Sequence, residues 1–144
     1  MTAEQRATPA VRQLRLVVEA EDYETAVAFY RDVLGLTEEA VFDGGDGAKV
    51  TIFDVGRATL ELSNPAQVRM IDAVEADGTR SARMRVAFEV DDSAAATENL
   101  VSGGATLIAP PRETPWRSLN SRLSAPAGLQ ITLFQELDGR SSGS

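Results

Sequence analysis

Two stretches of this chain, seventy residues apart, carry one pattern. Leu14-Arg15-Leu16-Val17-Val18-Glu19-Ala20-Glu21-Asp22 is answered by Met84-Arg85-Val86-Ala87-Phe88-Glu89-Val90-Asp91-Asp92. Arg15 matches Arg85, Glu19 matches Glu89 and Asp22 matches Asp92, each at an offset of 70. A repeat at fixed spacing means that one supersecondary unit is used twice, and that stacking the copies completes a common core. The 144 residues leave room for two such units in a single domain. Equivalent strands of two copies, set together, present equivalent side chains to a shared pseudo-symmetric cleft.

Each copy reads as a strand, a helix and three further strands. Residues 11–18 are β-rich, and Asp22 is a suitable N-cap. Ala26, Phe29, Tyr30, Val33 and Leu34 recur at helical spacing, which predicts a helix over 23–34 stopped by Gly35. Strands are expected at 37–43 and 48–54, flanking the turn Gly44-Gly45-Asp46-Gly47, and at 58–63. That glycine-rich turn lacks the helix and lysine of a phosphate-binding loop. Asn64-Pro65 opens a short connecting helix, with Val68, Ile71 and Val74 along one side and Asp77-Gly78 at its end.

The second copy has a strand at 84–90 and an Asp92-capped helix through Ser102, stopped by Gly103-Gly104. Strands follow near 105–109, 118–124 and 130–135, the last two joined by Ala125-Pro126-Ala127-Gly128. Pro110-Pro111-Arg112-Glu113-Thr114-Pro115 does not suit a central strand. The expected fold class is α+β: two tandem βαβββ modules, about 11–63 and 83–136 with a linker at 64–82, forming one curled mixed sheet with an open cleft. One domain spans 11–137, between disordered tails at 1–10 and 138–144. Side-chain alternation directs Leu14, Leu16 and Val18 at the first helix and Val86, Phe88 and Val90 at the second, leaving Arg15, Val17, Arg85 and Ala87 for the cleft.

Composition removes several function classes. The net charge of −8 argues against nucleic-acid binding and against anionic membrane surfaces. Cysteine and histidine are absent, so thiol nucleophiles, Ser-His-Asp triads and imidazole ligands are excluded. Any metal would need oxygen donors alone. No apolar run approaches a membrane span and residues 1–10 lack a signal-peptide core, so a cytoplasmic location is expected.

The string Ala28-Phe29-Tyr30-Arg31-Asp32-Val33-Leu34-Gly35-Leu36 resembles the first-helix signature of the vicinal-oxygen-chelate superfamily, the glyoxalase/bleomycin-resistance/dioxygenase group. Thr59-Leu60-Glu61-Leu62 resembles its fourth strand and Glu89-Val90-Asp91-Asp92 its second strand-to-helix junction. Pro115-Trp116 and the turn before Leu129-Gln130-Ile131-Thr132-Leu133 resemble its C-terminal pattern, so the likeness covers roughly residues 11–136. The resemblance implies a divalent metal held by four residues, two per copy, which fall here on Arg15, Glu61, Arg85 and Thr132. Of these only Glu61 is a good ligand, because a guanidinium is a permanent cation with no lone pair to give. No metal and no other cofactor are therefore expected. The resemblance also implies a homodimer with shared clefts.

Two uses of those four positions stay open. Arg15, Glu61 and Arg85 form an ion triad that fills the former metal site, or an arginine grips an anionic or carbonyl-rich ligand; failing both, the positions are misaligned and the arginines face solvent. Trp116 is a candidate stacking surface, with Phe53, Phe134 and Met70 as candidate apolar lining, though each of the last three also suits a plain core. Glu19 and Glu89, at strand ends, are expected to be solvated. The function this suggests is a metal-free binder resembling bleomycin-resistance proteins, sequestering an aromatic or polyketide-like natural product. The alternative is a metal-independent isomerase, cyclase or lyase of secondary metabolism, with Glu61 as general base.

Overall fold

A computed structural model describes residues 10–138, so the expected tails at 1–10 and 138–144 lie outside the described residues except for Ala10 and Asp138. The first module comprises β1 (Val11–Glu19), α1 (Tyr23–Ala28) continuing into a π-helical turn (Phe29–Val33), β2 (Thr37–Gly45), β3 (Ala48–Asp54) and β4 (Ala58–Ser63). The connecting helix α2 (Pro65–Ala76) leads to β5 (Met84–Val90), α3 (Ser93–Ser102), β6 (Thr106–Glu113), β7 (Ser118–Ala125) and β8 (Leu129–Glu136). The fold is α+β, with two βαβββ modules sharing one eight-stranded sheet in the order β2-β3-β4-β1-β5-β8-β7-β6. No described helix is long and apolar enough to cross a membrane.

The repeat explains the topology. β1 runs parallel to β4 and β5 parallel to β8, while β1 and β5 join the modules antiparallel. In that central pair Leu16 lies opposite Val86, two residues related by the repeat offset itself. The pseudo-two-fold axis therefore passes between them. Arg15 then falls opposite Ala87 and Arg85 opposite Val17, one on each side of the axis.

Each helix covers its own module. Tyr23 and Val27 of α1 pack with Phe53 and Leu62, while Val90, Leu123, Ile131 and Leu133 form the second core beside Ala96 and Leu100 of α3. The local signals for these helices hold: Asp22 accepts from the Thr25 amide, Asp92 from the Ala95 amide, and Gly35 has φ +86°. The helix expected over 23–34 is different in kind. Its last turn closes with a bond from the Leu34 amide to the Phe29 carbonyl, a π-type step that adds a residue to the turn. The added residue rotates the apolar stripe, so Tyr30 packs on the core while Phe29, Val33 and Leu34 face outward.

Two other expectations change. The strand expected near 105–109 continues through Pro110 and Pro111 to Glu113, because β6 is an edge strand where a missing N–H breaks no ladder. Register shifts beside Ala109 absorb the misfit. The connecting helix also buries Asp72 and Glu75 along with Val68. It lies across the sheet face opposite α1 and α3, against β3 and β4 on one side and β6 and β7 on the other. Its N-terminus is built as the Asn64-Pro65 motif predicts, with Asn64 accepting from the Gln67 amide.

Candidate functional site

The concave face of the sheet carries the four positions singled out by the repeat. Arg15 on β1 and Glu61 on β4 approach to 3.4 Å (Nη1 to Oε2). Arg85 on β5 donates from Nη1 to Thr132 Oγ1 on β8 at 2.9 Å. The expected triad is thus two pairs: Arg85 reaches Glu61 only through its charge. Arg15 is held further by Gln13, whose Oε1 accepts from its Nε at 2.9 Å, and its Cζ lies 4.7 Å above the Phe134 ring. A guanidinium over an aromatic face gains from the ring quadrupole. The Arg15 and Glu61 side chains keep 22% and 14% of their surface exposed, so the pair is mostly but not wholly buried.

Electrostatics sets the protonation chemistry of the floor. Burial pushes the Glu61 carboxyl above its ordinary range, although Arg15 and Arg85 oppose that rise. Burial also raises Glu136, helped by Glu89 and Asp138 and opposed by Arg15.

The cleft is closed at one end and open at the other. Toward Glu19, residues Val68 and Ile71 of α2 fill the space beside Val17, Ser63 and Arg85, leaving about 10 Å³. Toward Gln13, a pocket of about 340 Å³ is lined by charged and polar groups including Gln13, Thr59 and Glu89. Gln13 and Thr59 each precede a paired residue by two positions, so the strand period puts them on the same face as Arg15 and Glu61.

The wall formed by α2 is fixed by an ion cluster. Arg122 on β7 is fully buried and donates to Asp72 Oδ1 and Glu75 Oε1, each at 3.0 Å, and to the Thr79 carbonyl at 3.1 Å. Asn120 Nδ2 donates to the second Glu75 oxygen at 2.6 Å. At the helix end Arg112 makes a two-pronged pair with Asp77, both bonds 2.9 Å.

Of the candidate residues, the structure gathers Arg15, Glu61, Arg85, Thr132 and Phe134 on one floor. Phe53 is corrected: it is fully buried on the other sheet face, in the α1 core, because it alternates with Ile52 along β3. Met70 lies on α2 near Gly44, a neighbour of the β2–β3 turn, and it lines neither pocket. Trp116 is 46% exposed in the β6–β7 turn and also lines neither. Glu19 and Glu89 are buried rather than solvated, Glu19 within reach of Arg80. The sequence reading missed Gln13, Thr59 and the Arg122 cluster. Gln13 and Thr59 were findable from the two-residue strand period, whereas nothing local marks Arg122 as the partner of a helix some fifty positions earlier.

The residues at the implied metal positions do not fit a divalent ion. Both oxygen-bearing groups already hold a guanidinium, and the two fixed cations would repel a third. Among the described residues no three carboxylates converge on a point where an ion would be held.

A family model for the glyoxalase/bleomycin resistance protein/dioxygenase superfamily matches residues 12–133. No curated protein sequence matches the chain significantly. Among solved structures, a hypothetical protein from Bacillus halodurans C-125 is similar at TM-score 0.66 and 14% identity, over 89% of this chain and 96% of that one. Methylmalonyl-CoA epimerase from Mycobacterium tuberculosis is similar at 0.64 and 21%, over 90% and 91%. A variant of Streptomyces coelicolor methylmalonyl-CoA epimerase in complex with 2-nitronate-propionyl-CoA is similar at 0.63 and 20%, over 92% and 99%. At these identities the likeness establishes the fold.

Proposed function

The chain belongs to the glyoxalase/bleomycin resistance protein/dioxygenase superfamily, and from that premise we propose that it is a metal-free small-molecule binder of the bleomycin-resistance kind. It would sequester an aromatic or polyketide-like natural product in the open half of its cleft. One observation carries this reading. Guanidinium groups engage both oxygen donors at the metal positions, while a pocket of about 340 Å³ opens beside them. Small-molecule sites begin at roughly that volume, about 300 Å³. Arg15 stacked on Phe134 supports recognition of a planar or carbonyl-rich group. Resistance would follow by mass action, because a tight complex lowers free drug without chemistry.

A second reading, a metal-independent isomerase, cyclase or lyase, is favoured by the raised Glu61 carboxyl. A carboxyl whose proton affinity is tuned upward suits general acid–base work, with Arg15 stabilising an enolate. The epimerases among the structural neighbours are enzymes of the isomerase class.

Native mass spectrometry of the protein from its own cells, with elemental analysis, tests the binder. The expected result is an organic adduct without a stoichiometric divalent ion; an ion bound one per chain would overturn it. An adduct recovered unchanged after incubation supports sequestration. Turnover that is lost in Glu61→Gln while binding persists supports the enzyme.

A further inference from the structure

The open pocket has a charge imbalance that neither reading uses. Glu39 on β2, Asp54 at the end of β3 and Glu89 on β5 line it, against Arg12 and Arg57. Arg12 is already engaged, its Nε 2.8 Å from Asp91, and Glu89 has an interaction of its own, so Glu39 and Asp54 carry the imbalance. Asp54 gives one oxygen to the Gly56 amide at 2.9 Å. Thr59 lines the same pocket and is only 5% exposed, yet its buried Oγ1 has no hydrogen-bond partner among the described residues. A buried hydroxyl without a partner is costly, and in native proteins it calls for an explanation such as a ligand atom.

The geometry points to this pocket as a subsite for an organic cation, an alkylammonium or guanidinium group on a small molecule whose remainder reaches the Arg15–Phe134 floor. The subsite presupposes the small-molecule reading of the cleft. Carboxylates accept hydrogen bonds only, a threonine hydroxyl can accept them, and an ammonium offers three donors to such a dispersed set. A bare metal ion is the poorer occupant, because among the described residues these carboxylates do not converge. The overall charge of −8 favours the approach of cations to the protein as a whole. Arg57, exposed on the β3–β4 turn, is the one lining cation without an ion pair among the described residues, and it makes an anion the competing occupant to be tested.

Three probes with one skeleton separate the cases: 4-phenylbutylamine, 4-phenylbutyrate and 4-phenylbutanol, titrated into the 15N-labelled full chain and followed by amide shifts. The amine is expected to shift Gly56, Thr59 and Glu89, with the butyrate leaving them in place. The double variant Glu39→Gln, Asp54→Asn should weaken the amine at least about tenfold, the loss expected for one charge-assisted hydrogen bond. Both native side chains are exposed, and the amide oxygen that Asp54→Asn introduces can still accept from Gly56, so the fold is retained. Equal or stronger shifts with the butyrate or the alcohol would overturn the cation subsite, as would unchanged amine affinity in the variant. Butyrate shifts confined to the Arg15 and Phe134 amides, with none from the amine, defeat the subsite and leave the cleft reading standing. No shift in any cleft amide from any probe defeats both.

Discussion

The guanidinium of Arg122 lies 3.0 Å from the carboxylate of Glu75, and both side chains are almost wholly buried. One belongs to a sheet strand and the other to the connecting helix, so this pair and its neighbour Asp72 decide where the cleft ends. Breaking a buried pair from one side strands a charge in low dielectric, at a cost of about 3–5 kcal/mol.

Arg122→Met should therefore lower stability by about that amount in denaturant titration. The triple variant Arg122→Met, Asp72→Asn, Glu75→Gln should recover part of it, since no unpaired charge remains. Equal stability of Arg122→Met and wild type would show that α2 is not clamped by this cluster.

Glu61 sets a pH dependence whose sign follows from its raised folded-state value. The folded chain holds this proton more tightly than the unfolded chain, so the Glu61 contribution is most favourable below the unfolded value near 4.5. It declines as pH rises through the folded value. The stability difference, wild type minus Glu61→Gln, should fall from pH 4 toward pH 7 when measured by thermal or urea unfolding; a rise over that interval contradicts the burial effect.

Arg15→Ala and Arg85→Ala should differ. Arg15 combines an ion pair, the Phe134 contact and a bond to Gln13, which itself lines the open pocket, whereas Arg85 bonds Thr132 beside the filled end. Loss of Arg15 should weaken ligand by about tenfold or more while loss of Arg85 weakens it less. Calorimetry with whatever adduct the native protein retains would measure both. If stability falls in both variants and affinity in neither, the arginines only fill the positions where the family resemblance implies a metal.

Zinc, nickel or manganese added to the wild-type chain should show no one-to-one binding by calorimetry. The variant Arg15→His, Arg85→His, Thr132→Glu offers two imidazoles and two carboxylates and removes both cations, so it should gain a divalent site. Tight binding by the wild type would contradict the donor chemistry described above.

A dimer is expected in solution, at twice the 15.4 kDa chain mass by light scattering. Phe29, Val33 and Leu34 together expose an apolar stretch of the kind that marks interaction sites. A monomer at all concentrations, unaffected by Val33→Glu, would contradict the dimer that the family resemblance implies.

Local chemistry made much of the fold legible. Asp22, Asn64 and Asp92 are caps because short acceptor side chains at those positions satisfy first-turn amides. Gly35 marks its stop because the turn needs positive φ. The π-type turn was not legible, since an added residue leaves the apolar spacing of 26–34 almost unchanged. Phe53 stayed open between cleft lining and core because its face depends on register against β4, where it lies opposite Leu60. The burial of Asp72 and Glu75 was not legible, because the arginine that pairs with them lies on a distant strand.

The amino-acid sequence alone determined the duplicated unit, the arginines at its equivalent positions and the lack of imidazole or thiolate to chelate with, because all three are properties of residue identity and spacing. Tertiary structure alone decided that the two arginines act in separate pairs, that α2 closes one end of the cleft, and that acids gather at the other. Those outcomes depend on which strands become neighbours, and long-range pairing brings together charges that no local pattern relates.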